Sequence, residues 1–91
     1  MREFSIEENL HKTLDKLFKK DRETYKALMN KMQEILSCSD VNHYKNLRKP
    51  LQHLKRVHIY GPFILTFKYV ESTDTVIFYN FDNHDNIYKK K

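Results

Sequence analysis

The chain is poor in the residues that punctuate or staple a fold. Its 91 residues include one glycine, Gly61, and two prolines, Pro50 and Pro62, so it has no glycine-rich phosphate loop and no dinucleotide-binding fingerprint. Cys38 is the sole cysteine, which excludes an intrachain disulfide and fits a reducing compartment. Tryptophan is absent. No apolar run approaches the roughly 18 residues of a membrane span, and the opening MREFSIEENL carries acids where a signal peptide has an apolar stretch. A soluble, cytoplasmic protein with no membrane partner is the expectation.

What is present describes one small folded domain. Hydrophobic residues make up 40%, aromatics 13% and charged residues 32%, a balance that excludes disordered and low-complexity chains. Seventeen Lys and Arg against twelve Asp and Glu give a net charge of +5. Residues 1–43 hold eight bases and eight acids, whereas residues 44–91 hold nine bases and four acids. Between residues 45 and 56 stand Lys45, Arg48, Lys49, Lys55 and Arg56 with no acid, and Lys89, Lys90 and Lys91 close the chain. The second half is therefore the candidate contact surface for a polyanion.

Periodicity divides the chain in the same way. A short strand-like opening at residues 2–5 precedes Ser5 and Glu8, spaced as a capping box. Leu10, Leu14, Leu17 and Phe18 then recur at helical spacing up to about Lys20. Asp21 can cap a second helix striped by Tyr25, Leu28, Met29, Met32, Ile35 and Leu36, which the cluster of residues 37–40 ends. So short a connection makes an antiparallel hairpin, at about residues 6–38. Past residue 53 the period becomes two, with Leu54, Arg56, His58 and Tyr60 on one side of a strand and Lys55, Val57 and Ile59 on the other. Tyr60-Gly61-Pro62 turns into a second strand, residues 63–70, and residues 71–74 turn into a third, residues 75–81. The expected class is α+β, in the order β-α-α-β-β-β, with the hairpin packed on a mainly antiparallel sheet at about residues 53–81 and a basic tail at 82–91.

The histidines are isolated from one another and the cysteine has no partner, so no metal-ligand spacing is present. Near its ordinary pKa of about 6.5 an imidazole can give or take a proton at cellular pH. RNA carries its own nucleophile, the 2′-hydroxyl, so its cleavage asks only for a base, an acid and cations around the phosphate, without a cofactor. Arg56, His58 and Tyr60 lie two apart and so share one strand face. His84, in Asn83-His84-Asp85-Asn86, serves as a second proton-transfer group or as a turn residue beside a short helix; Tyr88 stacks on a base or packs on the sheet edge.

The order of elements, together with LRKPLQHLKRVHIYGPFILTFKYV at residues 47–70 and TVIFYNFDNHDNIYKK at residues 75–90, resembles the RelE/ParE toxin superfamily. Within it the chain is most similar to RelE-type toxins, which cut messenger RNA on the ribosome. His84-Asp85-Asn86-Ile87-Tyr88 is the most specific match. The resemblance implies that Arg56 and His58 face the RNA, that His84 takes the place of a tail Arg or His, and that Tyr88 reaches the substrate. His58 and His84 would be base and acid, in an order left open. Arg56, supported by Lys55 and Lys49, would stabilise charge on the phosphate, with Lys45, Arg48, Lys89 and Lys90 gripping the RNA. The departure is Ile64, which follows Phe63 where the family often has Arg.

The resemblance also implies a cognate RelB-like antitoxin as partner, acidic to match the basic half, besides the ribosome and messenger RNA. Alternatives within reach of the same sequence are a ParE-like poison of gyrase, a non-enzymatic RNA- or ribosome-binding module, and an inactive homologue.

Overall fold

The computed structural model describes residues 2–89. The chain begins with β1 (Glu3–Ile6), continues through α1 (Glu8–Lys20) and α2 (Arg22–Ser37), then forms β2 (Lys55–Tyr60), β3 (Phe63–Val70), β4 (Thr75–Asn83) and the short α3 (His84–Lys89). The sheet order is β1-β4-β3-β2. β2, β3 and β4 form an antiparallel meander, and β1 returns to run parallel to β4, with Glu3 opposite Thr75. This is the expected α+β class and element order. The hairpin spans 8–37 and the meander 55–83, and residues 82–89 of the expected basic tail are the end of β4 followed by α3. Among the described residues no helix is long and apolar enough to cross a membrane.

The two helix starts differ from each other. Ser5 does not cap α1: it lies within β1 opposite Ile77, and Glu7 holds the cap position without a side-chain hydrogen bond. Pairing with β4 engages the β4-facing backbone groups of residues 3–6, and the Glu7 N–H donates to Phe78 O at 2.9 Å, so strand geometry displaces the local cap. Asp21 does cap α2, accepting from the Thr24 N–H at 3.2 Å and from the Thr24 hydroxyl at 2.6 Å. Those hydrogen bonds to Thr24 hold the Asp21 carboxyl below its ordinary range.

Both faces of the sheet are covered, by different means. On one face Leu10 and Leu14 of α1 and Leu28, Met32, Ile35 and Leu36 of α2 bury against Leu65, Phe67, Val76 and Phe78. Phe67 and Phe78 are wholly buried, each contributing about 1.5–3 kcal/mol by removal from water. Phe18 and Met29, read as stripe members, stay at the surface; Phe18 lies edge-on to Tyr25 at 5.2 Å, with the Arg22 guanidinium 4.0 Å over its ring. On the opposite face Leu47 and Leu54 of the connection before β2, Ile64 of β3 and Ile87 of α3 form a smaller cluster, edged by Leu51 and Tyr79.

Two bulges set which side chains reach which face. In β2 an extra residue falls between His58, opposite Ile64, and Tyr60, opposite Phe63. In β4 an extra residue falls between Phe78, opposite Phe67, and Asn80, opposite Thr66. A bulge reverses the alternation beyond it. The connections are made as expected, with Gly61 at φ +52°, a conformation open to glycine, and Asp74 in the left-handed region at φ 50°. Asp74 accepts from the Tyr69 hydroxyl at 2.6 Å and from Arg2 Nε at 2.9 Å, and the Tyr69 bond leads in depressing its carboxyl pKa.

Candidate nucleic-acid interface

Arg56 and His58 stand on the sheet face opposite the helical hairpin. Their intervening neighbour Val57, and Ile59 after them, pack on the hairpin side. Among the described residues neither Arg56 nor His58 has a side-chain hydrogen bond or ion pair, and His58 is exposed. Cross-strand partners share a face, so two rows run across the sheet: Arg56, Thr66, Asn80 and His58, Ile64, Asp82.

Tyr60 leaves this group. Its alternation with His58 is broken by the β2 bulge, which pairs it with Phe63 on the hairpin side. There its hydroxyl lies 3.0 Å from Thr24 Oγ1 on α2. The cation, imidazole and aromatic expected on one face are therefore only the cation and the imidazole.

His84 opens α3 beyond the same end of the sheet. Its backbone N–H donates to Pro62 O at 2.8 Å, pinning the helix to the β2–β3 turn. Its Nδ1 lies 3.8 Å from Asp85 Oδ1, an ion pair when the imidazole is protonated. Asn83 Oδ1 accepts from the Asp85 N–H at 2.9 Å, and Asp82 Oδ1 accepts from the Asn83 N–H at 2.7 Å and from Asn86 Nδ2 at 3.2 Å, so polar side chains fix the start of α3. His58 and Asp82 are two strand spacings apart, about 10 Å, with Ile64 between them. Tyr88 and Lys89 follow on α3, Tyr88 four residues after His84. Lys90 lies outside the described residues.

The remaining bases lie on or beside the connection that covers this face. Leu47 and Leu54 turn inward, tied by the Leu47 N–H to Leu54 O at 2.9 Å, while Lys45, Arg48 and Lys49 are exposed. The Arg56 N–H donates to Lys45 O at 2.9 Å. Lys55 Nζ donates to Tyr44 O at 3.2 Å and Asn46 Oδ1 at 3.0 Å, so its charge holds the connection to β2. Ile64, in place of the family arginine, is wholly buried among Leu47, Leu54 and Ile87. It separates His58 from Asp82 within their row, and Arg56, whose side chain is unengaged among the described residues, stands in the adjacent row on the same face.

Residue type alone singled out Arg56, His58 and His84. It missed Asn80 and Asp82, which only the strand register brings into the rows of Arg56 and His58. The available signal was the apolar spacing of β4, where Val76 and Phe78 alternate but Phe81 follows after three residues.

No family model matches the chain. It is 52% identical over 91 residues to a Methanocaldococcus jannaschii protein named "Putative toxin RelE4", covering all of this chain and 95% of that one. It is 39% identical over 83 residues to an uncharacterized protein of Methanosarcina mazei, covering 91% and 94% of the two chains. Among solved structures, a metal-bound toxin from Helicobacter pylori superposes with a TM-score of 0.75 at 17% identity, over 96% of this chain and 99% of that one. YafQ from E. coli superposes with a TM-score of 0.66 at 16% identity, over 97% and 99%.

Proposed function

The chain belongs to the RelE family of toxins, and on that premise we propose that it is the toxin of a toxin–antitoxin system and a ribosome-dependent endoribonuclease that cuts messenger RNA and so inhibits translation. The observation that carries this reading is that Arg56 and the exposed His58 share the β2 face away from the hairpin, while His84, tied by its backbone N–H to Pro62 O, opens α3 at the same end of the sheet.

The reaction is attack of the RNA 2′-hydroxyl on its own 3′-phosphate. One imidazole takes the 2′-hydroxyl proton as the oxygen–phosphorus bond forms, and the other protonates the 5′-oxygen as the old bond breaks, leaving a 2′,3′-cyclic phosphate and a 5′-hydroxyl. His58 and His84 hold these two roles, either histidine being eligible for either. Each proton transfer is worth roughly 10²–10⁴-fold in rate. Arg56 meets the charge that builds on the phosphate, with Lys49 and Lys55 adding field and Tyr88 stacking on a base beside the cut. Lys45, Arg48, Lys89 and Lys90 grip the backbone. Positioning by the ribosome supplies orientation, which alone can account for much of the barrier. A RelB-like antitoxin of acidic character holds the toxin inactive in this reading, and the cytoplasm is where toxin, ribosome and message meet.

The test is induction of this protein alone in cells, followed by mapping of new RNA 5′ ends across translated messages, for wild type and for the His58→Ala, His84→Ala double variant. Cuts within reading frames that vanish in the variant are expected. Growth arrest without new ends would overturn the nuclease reading and favour gyrase poisoning or plain ribosome binding.

A further inference from the structure

The β4 bulge does more than restore the hairpin-side core. By adding a residue between Phe78 and Asn80 it turns two consecutive side chains, Tyr79 and Asn80, into one cavity of about 250 Å³. That volume is several times the roughly 30 Å³ share of a water molecule and below the roughly 300–1,000 Å³ of drug-sized sites, a size for a single ring system. Leu51, Leu54 and Ile87 supply apolar walls, and Thr66 lies at the cavity as the cross-strand partner of Arg56. The helix that brings Ile87 is the one that opens with His84.

The polar groups at the cavity converge from two elements. Asn80 Oδ1 accepts from the Phe81 N–H at 2.9 Å, which fixes the orientation of its amide, and also from Asn9 Nδ2 at 3.4 Å. What remains, among the described residues, is Nδ2 of Asn80 as an unengaged donor and Oδ1 of Asn9 as an unengaged acceptor, on two residues that both line the cavity. The exposed residue Glu7 also lines the cavity, and its carboxylate is a further acceptor.

We propose that this cavity is a base pocket: it receives one unstacked nucleobase of the RNA strand held at Arg56 and His58, and selects bases that carry an exocyclic amine over uracil. The proposal rests on the nuclease reading above for the identity of the strand. An unstacked base asks for apolar or aromatic surface on its faces and for hydrogen-bonding groups at its edge, and Tyr79 with the three apolar side chains meets the first need. Adenine, cytosine and guanine each present an exocyclic amine, with two N–H bonds for the Asn9 and Glu7 acceptors, next to a ring-nitrogen acceptor for the Asn80 donor, where uracil offers a single N3–H between two carbonyls. Uracil has no amine to give.

The test titrates the folded His58→Ala, His84→Ala chain with AMP, GMP, CMP and UMP, following the side-chain amide resonances of Asn9 and Asn80. Saturating shifts of both amides, at least fivefold tighter for any of the amino-bearing nucleotides than for UMP, are expected. In the cut-site map of the otherwise wild-type chain, Asn80→Asp replaces the donor while keeping the Oδ acceptor for Phe81, and the base preference at one position beside the cut is expected to change. Amides that stay still while resonances around Arg56 respond equally to all four nucleotides would overturn the pocket and leave the nuclease reading standing. Nucleotide-selective shifts in a wild type that makes no cuts would keep the pocket and overturn the nuclease.

Discussion

His58 and Ile64 are direct cross-strand partners, an exposed imidazole beside a side chain with no exposure at all. A cation at position 64 would therefore have no water to face. Restoring the family arginine by Ile64→Arg drives a guanidinium among Leu47, Leu54 and Ile87, and is expected to cost about 3 kcal/mol or more. Urea unfolding should show the midpoint falling with little change in slope, whereas Ile64→Val should cost only about 1 kcal/mol. An Ile64→Arg chain as stable as wild type would mean that this part of the sheet is open rather than packed.

If Ile64 is structural, the charge on the phosphate falls to Arg56. Its guanidinium has no partner among the described residues, so Arg56→Ala is expected to leave stability within about 0.5 kcal/mol while lowering cutting by roughly 10²–10³-fold. Lys55→Ala should behave differently, because Lys55 Nζ bonds Tyr44 O and Asn46 Oδ1: it is expected to loosen the connection over residues 44–46, read as faster amide exchange of Arg56, whose N–H donates to Lys45 O.

Tyr44 makes stability sensitive to alkali. Burial, aided by its hydroxyl bond to Glu34 Oε2 at 3.1 Å, pushes its pKa up to about 12 from the ordinary value near 10. The folded chain thus holds the phenolic proton where the unfolded chain has lost it. The stabilisation is complete below about pH 10 and is lost as the pH rises toward 12, so ΔG of unfolding should fall across that window. Tyr44→Phe is expected to flatten the fall, measured by urea unfolding at stepped alkaline pH. An unchanged slope would place the alkaline sensitivity elsewhere.

The helical hairpin was legible because Leu10 and Leu14, then Leu28, Met32, Ile35 and Leu36, keep the helical period on both sides of the Asp21 cap. The meander was legible from alternation and from the turn residue Gly61. The parallel return of β1 to β4 was not, since nothing local in residues 3–6 marks Thr75 and Val76 as partners far along the chain. Ser5 shows the same limit: its spacing from Glu8 obeys a capping rule, but a long-range ladder claimed its backbone first. Arg56, His58 and His84 could be picked out by side-chain chemistry alone. Asn80 and Tyr60 could not be placed, because a single inserted residue in each of β4 and β2 changes the face that counting by twos assigns to them.

Tyr60 gives that last point an experimental consequence. Plain alternation puts its ring beside His58, where removing it would harm RNA contact. The bulge instead pairs Tyr60 with Phe63 and sets its hydroxyl 3.0 Å from Thr24 Oγ1, the same hydroxyl that binds the cap Asp21. Tyr60→Phe is thus expected to cost about 1 kcal/mol through the lost hydrogen bond and to leave the pattern and rate of RNA cutting as they were. Thr24→Val removes both of that hydroxyl's bonds and should cost more than Tyr60→Phe, since Thr24 is buried and the cap loses a donor. Thermal unfolding of the two variants beside a cut-site map separates the alternatives. A Tyr60→Phe chain of full stability that no longer cuts would return the ring to the histidine face and mean that the bulge does not persist in solution.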